Sequence, residues 1–147
     1  MGIWYGEVDQ DKAQTFRKGT LLDTLDINIT ELGDDYIKGT MPVDQRTRQT
    51  YGVLHGGASC ALAETLGSIG AHLVVDSSKF FTVGMEINAN HLCPVMSGIV
   101  TGTAKPIHLG RTSQVWGIEI VNENGKMVCI SRITMAVVPR EKLEKKK

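Results

Sequence analysis

A long run of small and apolar residues, Ala58 to Val75, constrains the fold of this 147-residue chain more than any other feature. The run is long enough for about five helical turns at ~3.6 residues per turn, and it predicts one central helix. A single carboxylate, Glu64, interrupts it. Because a carboxylate in an apolar helix is costly to bury unless another group binds or uses it, Glu64 marks a candidate functional site.

Two glycines stand at the start of the predicted helix. His55, Gly56 and Gly57 directly precede Ala58. Glycine lets another group approach the free backbone N–H groups at a helix start, where the helix dipole favours developing negative charge. An oxyanion-binding position and a carboxylate on one element indicate acyl chemistry.

The rest of the chain predicts strands around this helix. A short helix is expected from Asp9 to Phe16, ending at Gly19. Alternating apolar and polar residues predict six strands, at 21–32, 36–43, 80–92, 99–108, 113–122 and 126–138. Asn124-Gly125 predicts a type I′ hairpin turn between the last two strands.

This order predicts an α+β fold in which an antiparallel sheet wraps around one long helix, with the last four strands in a meander. A sheet over one mostly apolar helix leaves another surface to cover, so a dimer is expected. We expect residues 20–138 to form the domain, preceded by an extension (1–19) that caps the sheet or the pocket. A basic, solvated tail follows (139–147).

Composition narrows the function classes. Lysine plus arginine equals aspartate plus glutamate at 16 each, which argues against general affinity for nucleic acid or membranes. No basic and apolar leader and no ~20-residue apolar run is visible. Three scattered cysteines predict reduced thiols and a cytoplasmic protein, with Cys60 a small core residue. No cluster has metal-ligand spacing, so we predict no metal.

The run from Gln49 to Ser59, followed by Glu64, resembles the hotdog-fold acyl-CoA thioesterases. The most similar group contains the 4-hydroxybenzoyl-CoA, phenylacetate-pathway and 1,4-dihydroxy-2-naphthoyl-CoA thioesterases. Supporting stretches are Met41–Asp44, Glu86–His91 and Lys105–Arg111. The resemblance covers roughly residues 20–138. It implies hydrolysis of an acyl-CoA, with an aromatic acyl group favoured and no cofactor beyond the coenzyme A of the substrate. It also implies a homodimer or a tetramer of paired dimers, with active sites at the dimer interface.

The resemblance also implies roles for individual residues. Glu64 acts as the nucleophile or general base, and the Gly56 N–H binds the thioester oxygen. Gln49 lies near the carbonyl or the attacking water. His55 either clamps the substrate or satisfies loop backbone groups. Ser68, one turn after Glu64, either bonds the carboxylate or a water or is a small core residue.

A second group of residues resembles positions that contact coenzyme A. Gly84 lets the pantetheine arm lie against a strand. His91 either lies near that arm or the acyl pocket or is a polar residue at a strand end. The loop resembling the nucleotide-contacting region comprises His108, Gly110, Arg111 and Thr112. Arg111 is the candidate partner of a phosphate, although a solvated turn would explain the same residues.

Two other functions remain open at this stage. A hotdog hydratase or dehydratase would use a histidine and an acid for proton transfer on an acyl thioester. A non-catalytic acyl-CoA binding module would usually have an output domain and would not need Glu64. The position of Glu64, nine residues after His55 on the same helix, favours hydrolysis.

Overall fold

A computed structural model describes residues 2–145, apart from the side chain of Glu144. Its helices are α1 (Gln10–Gln14), α2 (Leu21–Thr24), α3 (Gly56–Leu73) and α4 (Glu141–Glu144), with a 3-10 turn at Thr15–Arg17. Its strands are β1 (Asn28–Leu32), β2 (Ile37–Pro42), β3 (Phe80–His91), β4 (Ile99–Leu109), β5 (Ser113–Val121) and β6 (Met127–Pro139). The strands form one antiparallel sheet that packs on α3, which confirms the predicted fold class.

The order of strands in the sheet is β1-β2-β4-β5-β6-β3. The predicted meander is therefore right for β4 to β6 and wrong for β3, which pairs with β6 instead of β4. The reason is the position of α3, which crosses the sheet and contacts β2 to β6. The chain then enters β3 at the far edge, where Phe80 lies opposite Pro139 and His91 lies opposite Cys129.

The small residues of α3 let the sheet approach the helix closely. A β-carbon at Gly67 would lie 2.5 Å from the Cγ2 of Ile133, and one at Gly70 would lie 2.9 Å from the ring of Trp116. Leu62 and Leu66 of the helix are fully buried in the same core. The apolar run is thus a helix because it is the central layer of the core, and it begins and ends two residues earlier than predicted.

The first predicted strand is only half correct. Residues 28–32 form β1, but Leu21–Thr24 is a helical turn. The Thr20 side chain accepts a hydrogen bond from the Leu22 N–H (3.3 Å), and Asp26 has the left-handed φ of 55°. An N-cap and a left-handed residue interrupt what would otherwise be an alternating strand pattern.

The turn at Asn124-Gly125 is a hairpin, but it is not type I′. That type needs positive φ at both central residues, whereas only Gly125 has it, at 76°. The Asn122 Oδ1 accepts hydrogen bonds from the N–H groups of Asn124 (3.0 Å) and Lys126 (2.9 Å). The Asn122 carbonyl accepts from the Gly125 N–H (2.9 Å), which closes a type I turn before the left-handed glycine.

The N-terminal segment packs on the domain. The Trp4 Nε1 donates to the Gly33 carbonyl (2.7 Å), and its ring stacks on Trp116 with centroids 6.4 Å apart. The Tyr5 N–H donates to the Leu73 carbonyl at the end of α3 (2.8 Å), and Ala13 is fully buried. This segment therefore covers one end of the helix and the β1–β2 turn.

The beginning of the predicted tail is also anchored. The Arg140 Nε donates to the Ser77 carbonyl (2.6 Å), and Glu141–Glu144 forms α4. Residues 146 and 147 of that tail, and residue 1, lie outside the described residues. No helix described between residues 2 and 145 is long and apolar enough to cross a membrane.

Candidate active site

The start of α3 leaves one backbone donor available. His55 is the N-cap, and its Nδ1 accepts a hydrogen bond from the Gly57 N–H at 2.7 Å. Gly56 is the first helical residue, where an N–H has no acceptor within the helix. None of the hydrogen bonds described for residues 2–145 uses the Gly56 N–H. The position can therefore bind an oxyanion, with the helix dipole adding to the attraction.

His91 packs beside Gly56. A β-carbon at Gly56 would be 2.8 Å from the Nε2 of His91, which is at the end of β3. A β-carbon at Gly57 would likewise lie 2.9 Å from the Nδ1 of His55. An imidazole ring therefore packs beside each glycine, and this end of α3 brings Gly56, His55 and His91 together.

Gln49 belongs to a tight turn in the loop that leads into the helix. Its carbonyl accepts from the Gly52 N–H (2.9 Å), and its Oε1 accepts from the Tyr51 N–H. The loop is tied to the helix start because the His55 N–H donates to the Thr47 carbonyl (2.8 Å). The half-buried Gln49 side chain is thus held in a fixed loop before Gly56.

Glu64 lies further along the same helix, against the backbone of β3. A β-carbon at Gly84 would lie 2.5 Å from the Oε1 of Glu64, so a side chain at that position would displace the carboxylate from where it lies. Ser68, one turn on, has the sulfur of Met135 as its hydrogen-bond partner at 3.8 Å. This end of the site therefore unites Glu64, Ser68 and Gly84.

A cavity of about 360 Å³ opens beside Glu64. Its lining consists of Phe16, Leu22, Glu64, Thr65, Ser68, Ile69, His72 and Thr82. The ring of Phe16 meets that of His72 edge to face, with centroids 5.2 Å apart. Burial lowers the pKa of His72, and the positive charges of Arg140 and Lys12 lower it further. Sequence patterns alone do not place Phe16 and Leu22 at the site, because no local pattern relates them to a helix that begins more than thirty residues later.

The donor and the carboxylate of one chain are too far apart to act on one carbonyl group. Gly56 and Glu64 are eight residues apart, which separates them by ~12 Å along a helix. Gly84 and His91 are six paired positions apart on β3, because Met85 is an extra residue at the register shift, and this corresponds to ~20 Å along a strand. Each chain therefore has two half-sites, one at Gly56 and His91 and the other at Glu64 and Gly84.

The loop predicted to contact the nucleotide lies at a larger groove of about 890 Å³. Gly110, Arg111 and Thr112 line it together with Lys79 and Lys142. The Thr112 carbonyl accepts from the Val137 N–H (2.9 Å), which fixes the loop to β6. Asp76 lines the same groove and pairs with Lys79 (3.4 Å), so Arg111 and Lys142 carry its net positive charge, which favours an anionic ligand. His108 packs on the loop, because a β-carbon at Gly110 would lie 2.6 Å from its Nε2.

Two of the three cysteines, Cys60 and Cys129, lack the features of a catalytic nucleophile. Cys129 is buried, and burial raises its pKa to about 11, while burial and then the charge of Glu64 raise the pKa of the half-buried Cys60. Both effects disfavour the reactive thiolate. Within residues 2–145, no group of three or more histidine, cysteine, aspartate or glutamate side chains has an arrangement that could hold a metal ion.

Known proteins share both the sequence and the fold. The model of the thioesterase superfamily matches residues 51–129. The chain is 43% identical over 136 residues to the 1,4-dihydroxy-2-naphthoyl-CoA hydrolase of Escherichia coli, covering 92% of this chain and 99% of that protein. It is 46% identical over 136 residues to the proofreading thioesterase EntH of Cronobacter turicensis, covering 92% and 98%. A crystal structure of a mutant thioesterase from Pseudomonas aeruginosa superimposes with a TM-score of 0.91 at 46% identity, covering 94% of this chain and 99% of that one.

A sheet wrapped on one helix, with a carboxylate and an available helix N-terminus, defines the hotdog class of thioester hydrolases. The family match and the relatives place the chain in that class: it belongs to the thioesterase superfamily. The predicted fold and enzyme class are thereby confirmed.

Proposed function

We propose that the protein hydrolyses an aromatic acyl-CoA to the free acid and coenzyme A, at a site that two copies of the chain form together. The observation behind this proposal is the ~12 Å that separates Gly56 from Glu64 along α3. One thioester carbonyl cannot reach both groups of the same chain. A second chain supplies the missing group.

The free edge of β3 suggests how two chains pair. Among residues 2–145, β3 pairs with β6 and with no other strand, and most of its residues are exposed. Met85 is an extra residue at the register shift between Gly84 and Glu86, so Asn88 is midway between His91 and Gly84 in paired positions. If β3 pairs antiparallel with its own copy about a two-fold axis at Asn88, His91 of one chain lies opposite Gly84 of the other. The same two-fold at residue 60 of α3 places Gly56 of one chain near Glu64 of the other. A single two-fold axis thus brings each half-site at Gly56 and His91 next to the half-site at Glu64 and Gly84 of the other chain.

The chemistry follows from the two groups. The Gly56 N–H donates to the thioester oxygen and stabilises the charge that develops there, an effect typically worth about 3–4 kcal/mol. As a base, Glu64 takes a proton from water, hydroxide adds to the carbonyl carbon, and the proton passes to the departing thiolate. As a nucleophile, Glu64 forms an anhydride as the thiolate leaves, and water then restores the carboxylate. Both routes consume one water and need no redox cofactor.

The acyl class is proposed from the cavity beside Glu64. Phe16, Leu22 and Ile69 give it an apolar wall, and Thr65 and Thr82 add hydroxyl groups. A compact ring fits such a lining better than a charged or strongly polar group. One relative is named for a bicyclic aromatic acyl-CoA, which supports the same class.

Coenzyme A is proposed to lie in the groove of Arg111, Lys79 and Lys142, where its phosphates meet positive charge. Gly84 and His91 would border the pantetheine arm between this groove and the carbonyl. Gln49, His55 and Ser68 are proposed to orient the carbonyl, the attacking water or Glu64. A dimer, or a tetramer of two dimers, would be the active form.

The test is release of free thiol from a panel of aryl- and alkyl-CoA esters. We expect wild type to hydrolyse aryl esters and Glu64→Gln to lose at least 1,000-fold in kcat, since the side chain keeps its shape but loses the carboxylate. Glu119→Gln, an exposed glutamate on β5, is the matched control and should behave like wild type. Thiol release that is equal in wild type and Glu64→Gln would contradict the proposal. Loss of an enoyl-CoA absorbance without thiol release would indicate a hydratase instead.

A further inference from the structure

We infer that Phe16 and Leu22, which precede β1, set the size of the acyl group that the enzyme accepts. The inference rests on the proposed function, since it takes the thioester carbonyl to lie at Glu64. From there, the acyl group extends into the cavity of about 360 Å³, and both side chains are part of its wall. Size selection would then come from the N-terminal part of the chain, and catalysis from α3.

The contacts of Phe16 explain why it limits the cavity. Its ring meets His72 at 5.2 Å, with the ring planes at 81°. His72 is one turn after Ser68 on α3, and Ile69 lies between them in the same lining. Phe16 therefore connects the N-terminal segment to the helix at the side of the cavity away from the helix start.

This wall is held firmly by Arg17. Its Nε donates to the Asp23 Oδ1 (2.9 Å) and its Nη2 to the Asp26 Oδ1 (2.7 Å), while its Nη1 donates to the Asn28 Oδ1. These bonds join the turn bearing Phe16 to the helical turn bearing Leu22 and to the start of β1. Because these bonds hold the backbone in place, shortening a side chain should leave a larger cavity and not let the wall collapse into the space.

Shortening these side chains should widen substrate selection. Pocket contacts of a single methylene typically discriminate about 10- to 200-fold between substrates. For Phe16→Ala we expect the ratio of kcat/KM for a naphthoyl-CoA to that for benzoyl-CoA to rise about tenfold or more. Leu22→Ala should raise it less, because a smaller group is removed.

The experiment measures kcat/KM for benzoyl-, naphthoyl- and straight-chain alkyl-CoA esters of increasing length. Leu21→Ala is the matched control, since Leu21 is on the same helical turn as Leu22 but is exposed and outside the cavity lining. Phe16→Leu keeps an apolar side chain of intermediate size, so it should give an intermediate shift if Phe16→Ala folds poorly. A profile for Phe16→Leu and Leu22→Ala that matches Leu21→Ala would overturn the inference.

Calorimetric binding of non-hydrolysable thioether analogues of the same esters separates the two proposals. Suppose that wild type hydrolyses none of the esters, but that Phe16→Leu and Leu22→Ala bind the larger analogues better, relative to the smaller ones, than wild type does. The hydrolytic function is then wrong, and the inference that Phe16 and Leu22 set acyl size is supported. Suppose instead that wild type hydrolyses the esters, and that the variants have the wild-type preference for acyl size in both binding and kcat/KM. The hydrolytic function is then supported, and the inference that Phe16 and Leu22 set acyl size is wrong.

Discussion

The Oε1 of Glu64 lies where a β-carbon at residue 84 would be only 2.5 Å away, so the helical carboxylate and the glycine of the edge strand fit together. Gly84 also lies where the β3–β6 pairing shifts register before Glu86. A glycine in a strand allows another group to approach the backbone closely, and here that group is the carboxylate. The position of Glu64 thus depends on a residue of another element.

Gly84→Ala should therefore displace the Glu64 carboxylate without removing it. We expect kcat/KM to fall about 10- to 100-fold, because a misplacement of about 1 Å can cost that much in rate. Gly117→Ala on β5 is the matched control, since its β-carbon would meet only the flexible end of Ile107 at 3.2 Å. Equal activity in Gly84→Ala and Gly117→Ala, with both proteins folded, would argue against a catalytic role for Glu64 at this position.

The oxyanion role of Gly56 can be tested by removing only its N–H. Proline is tolerated at the first position of a helix, where the N–H makes no helical hydrogen bond. Gly56→Ala adds a β-carbon beside His91 but keeps the donor, so it is the control for Gly56→Pro. We expect Gly56→Pro to have a kcat about 100-fold below that of Gly56→Ala. Equal rates in the two variants would show that the N–H does not bind the reacting oxygen.

The cationic groove predicts a salt-dependent KM. Arg111→Ala and Lys142→Ala should each raise KM about 5- to 10-fold at low ionic strength, with kcat little changed, because they remove attraction for phosphate. Lys126→Ala, in the β5–β6 hairpin outside this groove, is the control. The difference in KM between each variant and wild type should become smaller as the salt concentration rises. If truncated thioesters that lack the nucleotide show the same KM increase, the groove does not bind phosphate.

Asp76 predicts how stability depends on pH. Hydrogen bonds from Ser78, then Tyr5 and Lys79, lower its pKa from 3.8 to about 2. Since the pKa is lower in the folded protein, the stabilisation is present above about pH 3.8 and is lost as pH falls towards about 2. Asp76→Asn should be less stable than wild type at neutral pH, and the difference in the free energy of unfolding should narrow between pH 4 and 2. A difference that stays constant over this range would contradict the assigned pKa.

Sequence patterns predicted the elements well where the signal was local. The apolar run of α3 and the alternation in β4, β5 and β6 follow from periodicities that each element displays by itself. The strand predicted at Leu21–Thr24 is wrong, because Thr20 caps a helical turn there and Asp26 has a left-handed backbone conformation. Local chemistry outweighed periodicity at that point.

The features that sequence did not predict depend on contacts between distant parts of the chain. The pairing of β3 with β6 results from the path of α3 across the sheet. The cavity wall at Phe16 and Leu22 arises because the N-terminal segment folds back onto the helix. The contacts of Gly56 with His91 and of Gly84 with Glu64 join a helix to a distant strand, so no local pattern predicts them, although the family resemblance points to all four residues.

The central claim, that two chains form each active site, is tested most directly by mixing two inactive proteins. Glu64→Gln lacks the carboxylate and Gly56→Pro lacks the donor, so each alone should be nearly inactive. After the two are unfolded and refolded together at equal concentration, half of the dimers should be mixed, and each mixed dimer has one intact site of two. We predict recovery of about a quarter of wild-type kcat. If both variants fold and mix but no activity returns, each site lies within one chain, and the proposed composite site is wrong.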